Sequence, residues 1–346
     1  MLRRRPTAKL FAAAAALGFL SLGASPGDAA SSGIALLRAA MAADSRISYA
    51  GTVTSVVYGP RTAAATVVRI EHRAPTSWRI WYVAPADAYG RLIVSNETTT
   101  YQYEPSTGRV YSNPWSESAP PVAGEFDVAR AAQNYAVDLG AATSVAGRPV
   151  DTISLTSKYS GSLIERFWID AKTQIVLRRE RYHPDGSLAF KSEFDSVRYV
   201  NDLPSELFDL SVPPGMMLVQ GAAYSPATTD LTPLAAAVHF KLVAPRDLPE
   251  GFQLEKGNVA THDNVEALQF VYSDGLRTFS LFESASARLP KFESESHAIS
   301  VGGAAGQFAY ETGVTLVSWL NTGLNFTLVG DLAPRELAKI GASLKG

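Results

Sequence analysis

The sequence predicts an α+β protein in which a long, curved antiparallel sheet with a few covering helices precedes a smaller α+β domain. Three observations predict it. Apolar and polar residues alternate with a period of two through most of Tyr49 to Tyr199, only three stretches of the mature chain carry a helical period, and a non-periodic Pro-, Gly-, Ala-, Ser- and Thr-rich stretch from Val212 to Ala237 divides the chain. With 346 residues, 46% hydrophobic and 18% charged, the chain is long enough for two packed cores and too apolar for disorder.

At the amino terminus Arg3, Arg4, Arg5 and Lys9 precede an apolar run from Leu10 to Ala24, which is short for a bilayer span, and Gly27-Asp28-Ala29 supplies small residues for a cleavage site. This reads as a secretory signal peptide over residues 1–29, cleaved after Ala29 or Ala30. An uncleaved anchor is disfavoured by the weakly hydrophobic Ala12 to Ala16 and by Pro26 and Gly27. Removal takes four positive charges and Asp28, a net of +3, so the formal charge falls from −2 to −5. The expectation is a soluble periplasmic protein without a lipid anchor, since the chain has no cysteine to modify.

The mature chain opens with a short helix over Ile34 to Ala43, in which Ile34, Leu37 and Met41 share a face. Strands follow at 49–58, 67–73, 78–83, 91–95, 99–103 and 109–112, the last two flanking the compact loop Glu104-Pro-Ser-Thr-Gly108. A Ser-, Ala- and Pro-rich segment from Glu117 to Gly124 leads into a second helical pattern, Phe126 to Leu139. The sheet resumes at 149–156, 162–170, 175–182 and 188–199. Beyond the divide, 265–272 with 278–283 and 314–320 with 325–329 read as hairpins, and Pro334 starts a closing helix through Leu344. The expected organisation is a first domain over 30–217, a linker over 218–238 that leaves the domains to fold separately, and a second domain over 239–346.

The familiar signatures of nucleic-acid binding and catalysis are absent from the sequence. Lys and Arg total 31 against 33 Asp and Glu, so the basic excess of a nucleic-acid surface is missing. The sequence holds no His-Glu-x-x-His, no Gly-x-Ser-x-Gly and no phosphate-cradling Gly-rich loop. The five histidines, His72, His183, His239, His262 and His297, are scattered, with no pair at ligand spacing; His183 reads as a turn residue and His72 as lying on the polar face of a strand. Glu293 and Glu295 read as loop charges. No catalytic residue, cofactor or metal site is expected.

What remains is aromatic. Trp78, Trp81, Trp115 and Trp168, four of the five tryptophans, lie between Tyr49 and Tyr199, as do eleven of the fourteen tyrosines. Each can serve ordinary cross-strand packing, because aromatics favour strands. As a set they suggest a partly closed groove, with Trp78, Trp81, Tyr82, Tyr101, Tyr103 and Trp168 as candidate ligand-binding residues. An acyl chain suits such a groove, since its burial is worth about 0.8 kcal/mol per methylene.

Two stretches carry a family likeness. Glu165 to Gly186, continuing through Phe194 to Leu207-Phe208, resembles the late strands of the open half-barrel shared by LolA-type lipoprotein carriers and MucB/RseB regulators. Leu248-Pro-Glu-Gly-Phe252, Leu268 to Leu276 with Phe279-Ser-Leu-Phe282, and Phe326-Thr-Leu-Val-Gly330 resemble the carboxy-terminal domain of MucB/RseB, which LolA-type carriers lack. The resemblance implies a LolA-like half-barrel followed by that second domain, with no enzymatic activity. It also implies a periplasmic negative regulator of sigma-E-type envelope stress signalling, which binds the periplasmic part of a membrane-spanning anti-sigma factor, protects it from proteolysis and senses lipid, lipoprotein or lipopolysaccharide. A LolA-like carrier of lipoprotein or lipid is the alternative, and a homo-oligomer is left open.

The basic start and short apolar run predict a mature amino terminus at about residue 30 or 31. Amino-terminal sequencing of periplasmic material checks this, and an intact Met1 would refute it.

Overall fold

The computed structural model describes residues 26–59, 62–114, 126–221, 223–262, 265–292, 294–311 and 314–345. Residues 1–25 of the expected signal peptide, Trp115 and the 117–124 segment lie outside these, as does Glu293. No helix among the described residues is long and apolar enough to cross a membrane.

Helix α1 (Pro26–Met41) leads into the strands β1 (Ser48–Tyr58), β2 (Ala63–Arg73), β3 (Ser77–Ala84), β4 (Leu92–Ser95), β5 (Thr99–Glu104) and β6 (Arg109–Pro114). After α2 (Val128–Asn134) come β7 (Tyr135–Leu139), β8 (Thr143–Val145), β9 (Arg148–Ser157), β10 (Leu163–Asp170), β11 (Val176–Tyr182) and β12 (Leu188–Val200). With β13 (Met217–Gln220) these make one 13-stranded sheet, ordered β13-β6-β5-β4-β3-β2-β1-β12-β11-β10-β9-β7 with β8 on β9. Two antiparallel meanders thus meet where β1 pairs with β12. A bulge in β12 at Asp195, opposite Thr52 and Val53 of β1, marks the seam. Gly51 stands beside it because a Cβ there would lie 2.3 Å from the Ser196 carbonyl oxygen and 2.9 Å from the Phe194 ring.

The helical pattern expected over 126–139 is shorter in the structure. Asp127 caps α2 by accepting from the Arg130 N–H at 3.0 Å, but the helix ends at Asn134, and Tyr135 to Leu139 pair with β9 instead. Tyr135 and Val137 also alternate with a period of two, and the free edge of β9 decides between the readings.

The stretch read as a linker supplies β13 to the first sheet and β14 (Ala223–Tyr224) to the second. Its helix α3 (Leu231–Ala236) buries Leu234 in the second core, and β15 (Ala244–Pro245) follows it. The second sheet continues with β16 (Gln253–His262), β17 (Val265–Ser273), β18 (Thr278–Ser284), β19 (His297–Val301), β20 (Ala304–Glu311), β21 (Val314–Asn321) and β22 (Leu324–Gly330), in the order β14-β16-β17-β18-β22-β21-β20-β19. Both expected hairpins are present. Helix α4 (Pro334–Ala342) packs against this sheet, burying Leu337 and Ile340, and β23 (Leu344–Lys345) then pairs with β15. Glu336 caps α4 by accepting from the Ala333 N–H at 3.1 Å. Strands β16, β19 and β20 were not expected from the sequence: Gly257 and Gly306 dilute the alternation of β16 and β20, and β19 is only five residues long.

One core position of the second sheet is a carboxyl. Glu283 is fully buried between its cross-strand neighbours Leu268 and Phe326. Its Oε2 accepts from the Val243 N–H at 3.1 Å, and its Oε1 has no hydrogen-bond partner. Burial pushes this carboxyl up to about 8, against the opposing pull of the Val243 N–H. An acid raised in the folded state contributes stability that is full below its unfolded value near 4.5 and lost as pH rises through about 8. Glu283→Gln is therefore expected to flatten the pH dependence of stability between those values and to stabilise the protein at pH 8 by roughly 2–4 kcal/mol. Urea unfolding at pH 5 and pH 8 measures it, and an unchanged slope would contradict the assignment.

Candidate functional site

The first sheet has a helix-covered face and an opposite face. Register assigns them: Phe194 pairs with Val53, Val53 with Val68 and Val68 with Tyr82, so these four share the covered face. Phe167 and Ile153 lie farther along it, paired across β10 and β9. Leu37, Ala40 and Ala43 from α1 and its following turn pack into the same buried cluster. Each fully buried side chain of leucine size contributes on the order of 1.5–3 kcal/mol.

The six candidate aromatics divide between the faces. Trp78 and Tyr82 of β3 belong to the covered face, whereas Trp81, an odd number of residues from each, points to the opposite one. There it is 39% exposed, with the Arg79 guanidinium 5.5 Å from its ring centroid. Tyr103 and Tyr101 follow Trp81 and Arg79 through Leu92 and Val94. They pack in a separate small core with Val110, Leu203 and Phe208, and the Tyr103 hydroxyl donates to the Ser211 carbonyl at 2.7 Å. Trp168 alternates with Phe167 onto the opposite face, where Arg178 lies 4.3 Å above its ring. Of the six, Trp78 has Tyr49 beside it, 6.0 Å between ring centroids, with Phe194 5.7 Å beyond Tyr49, while Tyr82 lies four residues farther along β3 on the same face.

His72, expected on the polar face of its strand, lies on the covered one. It is fully buried, in phase with Val68 and Ile70, and stacks on Trp78 at 3.8 Å between ring centroids. Its two ring nitrogens face the carbonyl oxygens of Asp44 at 2.7 Å and Ser77 at 3.0 Å. Burial holds its pKa below the usual imidazole value, although both carbonyls favour the charged ring. The Asp44 carboxyl is pushed up to about 6 by burial, opposed by the Tyr49 hydroxyl that donates to it at 2.9 Å. This polar knot ties the turn after α1 to the sheet.

Farther along the covered face the lining turns ionic. Glu165, fully buried, accepts two bonds from Arg179, at 2.9 and 2.7 Å, and one from Arg181 at 2.8 Å. Arg181 also donates to Asp331 of the second sheet's unit. Burial disfavours the Arg181 charge, but Asp331 and Glu165 outweigh it and hold its pKa above the ordinary arginine value. The Arg179 guanidinium lies 4.8 Å over the Phe126 ring. Sequence alternation gave no sign of this ion cluster, although a run of Arg178-Arg179-Glu180-Arg181 inside a strand signals charges that a buried face must pair.

The hairpin between β17 and β18 joins the two units. Leu276 at its tip is 2% exposed and belongs to the first sheet's core cluster. Asp274, 1% exposed, accepts from the Tyr135 hydroxyl at 2.5 Å and from Arg277 Nε at 3.0 Å, while its other oxygen caps the turn through the N–H groups of Leu276 and Arg277. The Asn134 amide donates to the Asp274 carbonyl at 2.7 Å and to the Gly251 carbonyl at 3.3 Å. Gly275, at φ +96°, admits no side chain, since a Cβ would lie 2.3 Å from the Ala131 nitrogen. Among the described residues no group of three or more histidine, aspartate or glutamate side chains is placed to hold a metal ion.

Residues 32–210, more than half of the chain, match the family model described as the MucB/RseB N-terminal domain. The chain belongs to the MucB/RseB family. Solved structures extend the likeness past that domain. The complex structure of Pseudomonas aeruginosa MucA/MucB is similar over 91% of this chain and 98% of that one, with 17% identity and a TM-score of 0.60. MucB in complex with MucA(peri) covers the same shares at 17% identity and a TM-score of 0.58. MucB alone covers 91% of this chain and 97% of that one at 16% identity and a TM-score of 0.57. No curated protein matches the sequence. In this MucB/RseB chain, as the sequence reading expected, the α+β fold comprises one large curved sheet and a second, smaller one.

Because Glu165 compensates two arginines away from water, Glu165→Gln is expected to destabilise the protein by roughly 3–5 kcal/mol. Replacing the arginines as well, in Glu165→Leu/Arg179→Met/Arg181→Met, is expected to cost less than the single change. Urea unfolding of both variants tests the pair of expectations, and equal or reversed costs would refute them.

Proposed function

We propose that the protein is a periplasmic binding protein that holds the periplasmic segment of a membrane-spanning anti-sigma factor and shields it from proteolysis. In this reading, lipid or lipoprotein that reaches the helix-covered face of the first sheet releases the partner. The observation that carries it is the reach of the structural likeness. The fold shared with MucB, which is known in complex with MucA, runs through both sheets and not the first alone. The interior is consistent with a binding role: a face with apolar and ionic sections, closed by one long and one short helix, suits an amphiphile. No constellation of nucleophile, base and orienting group was found in the sequence, so we read the protein as a non-enzyme.

Ligand and partner act on one another only through a difference in affinity between two states of the protein. The test combines protein recovered from the periplasm with the periplasmic segment of the single-span anti-sigma factor encoded beside its sigma factor. Calorimetry is expected to give association at or below the micromolar range, and the bound segment is expected to resist a site-specific protease. An amphiphile such as laurate is expected to weaken the association. No association at tens of micromolar, together with transfer of a lipoprotein between acceptors, would replace this reading with that of a carrier.

A further inference from the structure

The hairpin tip Ser273 to Arg277 does two things at once. It hydrogen-bonds across the junction through Asp274, and it sends Leu276 into the apolar cluster that also contains Ala131, Tyr135, Val137, Ile153 and Phe167. The cluster is thereby completed by a residue from the second unit. Its place in the first sheet's core is one that an acyl chain entering under α1 and α2 would need.

We propose that this tip is an internal plug, and that an apolar ligand of the first sheet and the docking of the second unit are mutually exclusive. The inference rests on the ligand part of the proposed function and adds how that ligand is sensed. Three features favour a release by detachment over a gradual deformation. The tip is rigid, because Asp274 caps its own turn at 2.9 and 2.8 Å and Ser273 Oγ accepts from the Gly275 N–H at 2.9 Å. It fits without slack, because Gly275 has no room for a Cβ beside Ala131. Its receiving side is short, since Arg130, Asn134 and Tyr135, all within α2 and the first residue of β7, supply the bonds to it, Arg130 donating to the Ser273 carbonyl at 3.3 Å. Withdrawal of the tip removes Leu276 from the core and leaves the Tyr135 hydroxyl and the Asn134 amide without these partners. Acyl carbons filling the vacated volume offset the first loss and favour the undocked arrangement, which moves the whole second sheet relative to the first. The ion pair between Arg181 and Asp331 is a second attachment, charged where the tip is apolar.

The absence of native cysteine makes a distance measurement direct. Donor and acceptor dyes are attached through Tyr89→Cys in the first unit and Ala235→Cys in the second, both exposed, in protein recovered from the periplasm. Energy transfer and calorimetric laurate binding are then compared in the parent, in Leu276→Ala and in Tyr135→Phe, which keeps the plug and removes one bond to Asp274. Laurate is expected to lower energy transfer in the parent. Leu276→Ala is expected to lower it without ligand and to reduce the half-saturating laurate concentration at least tenfold, because a larger fraction of molecules is already competent to bind. Tyr135→Phe is expected to shift both in the same direction, about threefold in binding. Unchanged energy transfer in both variants would overturn the plug. Lower energy transfer without tighter laurate binding would overturn the competition while leaving the ligand reading intact. Absence of laurate binding in all three proteins, with altered energy transfer in the variants, would overturn the ligand reading itself and the competition with it.

Discussion

The buried carboxylate of Asp274 is the interaction on which the relation between the two sheets depends. A charge so withdrawn from water persists only when every lone pair is engaged. Here the tyrosine hydroxyl of the first unit, the guanidinium of Arg277 and two backbone N–H groups supply what is needed. The same residue therefore shapes the hairpin and binds it to its neighbour. Nearby motif residues reinforce the joint, since Gly251 of Leu-Pro-Glu-Gly-Phe offers its carbonyl to Asn134 and Arg277 lies 5.4 Å over the Phe252 ring. Tyr272 stacks on Phe279 at 4.9 Å, which stiffens the base of the hairpin.

A contrast runs along the covered face of the first sheet. Around Trp78, Phe194 and Leu37 it is packed with apolar side chains, and around Glu165 it is held by ion pairs that reach Asp331 in the second unit. Apolar packing tolerates exchange of one hydrocarbon for another of similar volume, whereas a buried ion pair loses heavily if one member is removed. The ionic section accordingly keeps the sheets in register. The apolar section is the part of the interior that tolerates exchange of one side chain for another of similar volume.

Much of the architecture was legible in the order of residues alone. The strands of both meanders apart from β7 and β8, the two late hairpins, the first helix and the closing helix follow from local periodicity, because alternation and the 3.6-residue repeat record which side of each element meets a core. The family likeness of Tyr-Ser-Asp-Gly-Leu and Leu-Pro-Glu-Gly-Phe was likewise present in the residues. What these stretches touch was not. His72 shows the limit in one side chain: its phase with Val68 and Ile70 was available, but its polar type suggested water, and only the carbonyls of Asp44 and Ser77 brought from elsewhere offset the cost of its burial.

The sequence by itself determined most elements of the first sheet, two hairpins and the closing helix of the second, and the presence of two sheet-forming halves, since these depend on near neighbours along the chain. Tertiary structure decided the rest. It turned Tyr135 to Leu139 from a helical continuation into a strand by offering the edge of β9. It decided which face of the first sheet is covered, so that Trp78 is buried and Trp81 is not, and it brought Glu165, Arg181 and Asp331 together across 166 residues of chain, from 165 to 331. Hydrogen bonds, ion pairs and the seating of Leu276 join groups remote in sequence, and no local pattern encodes which distant partner satisfies a buried charge or fills a gap in a core.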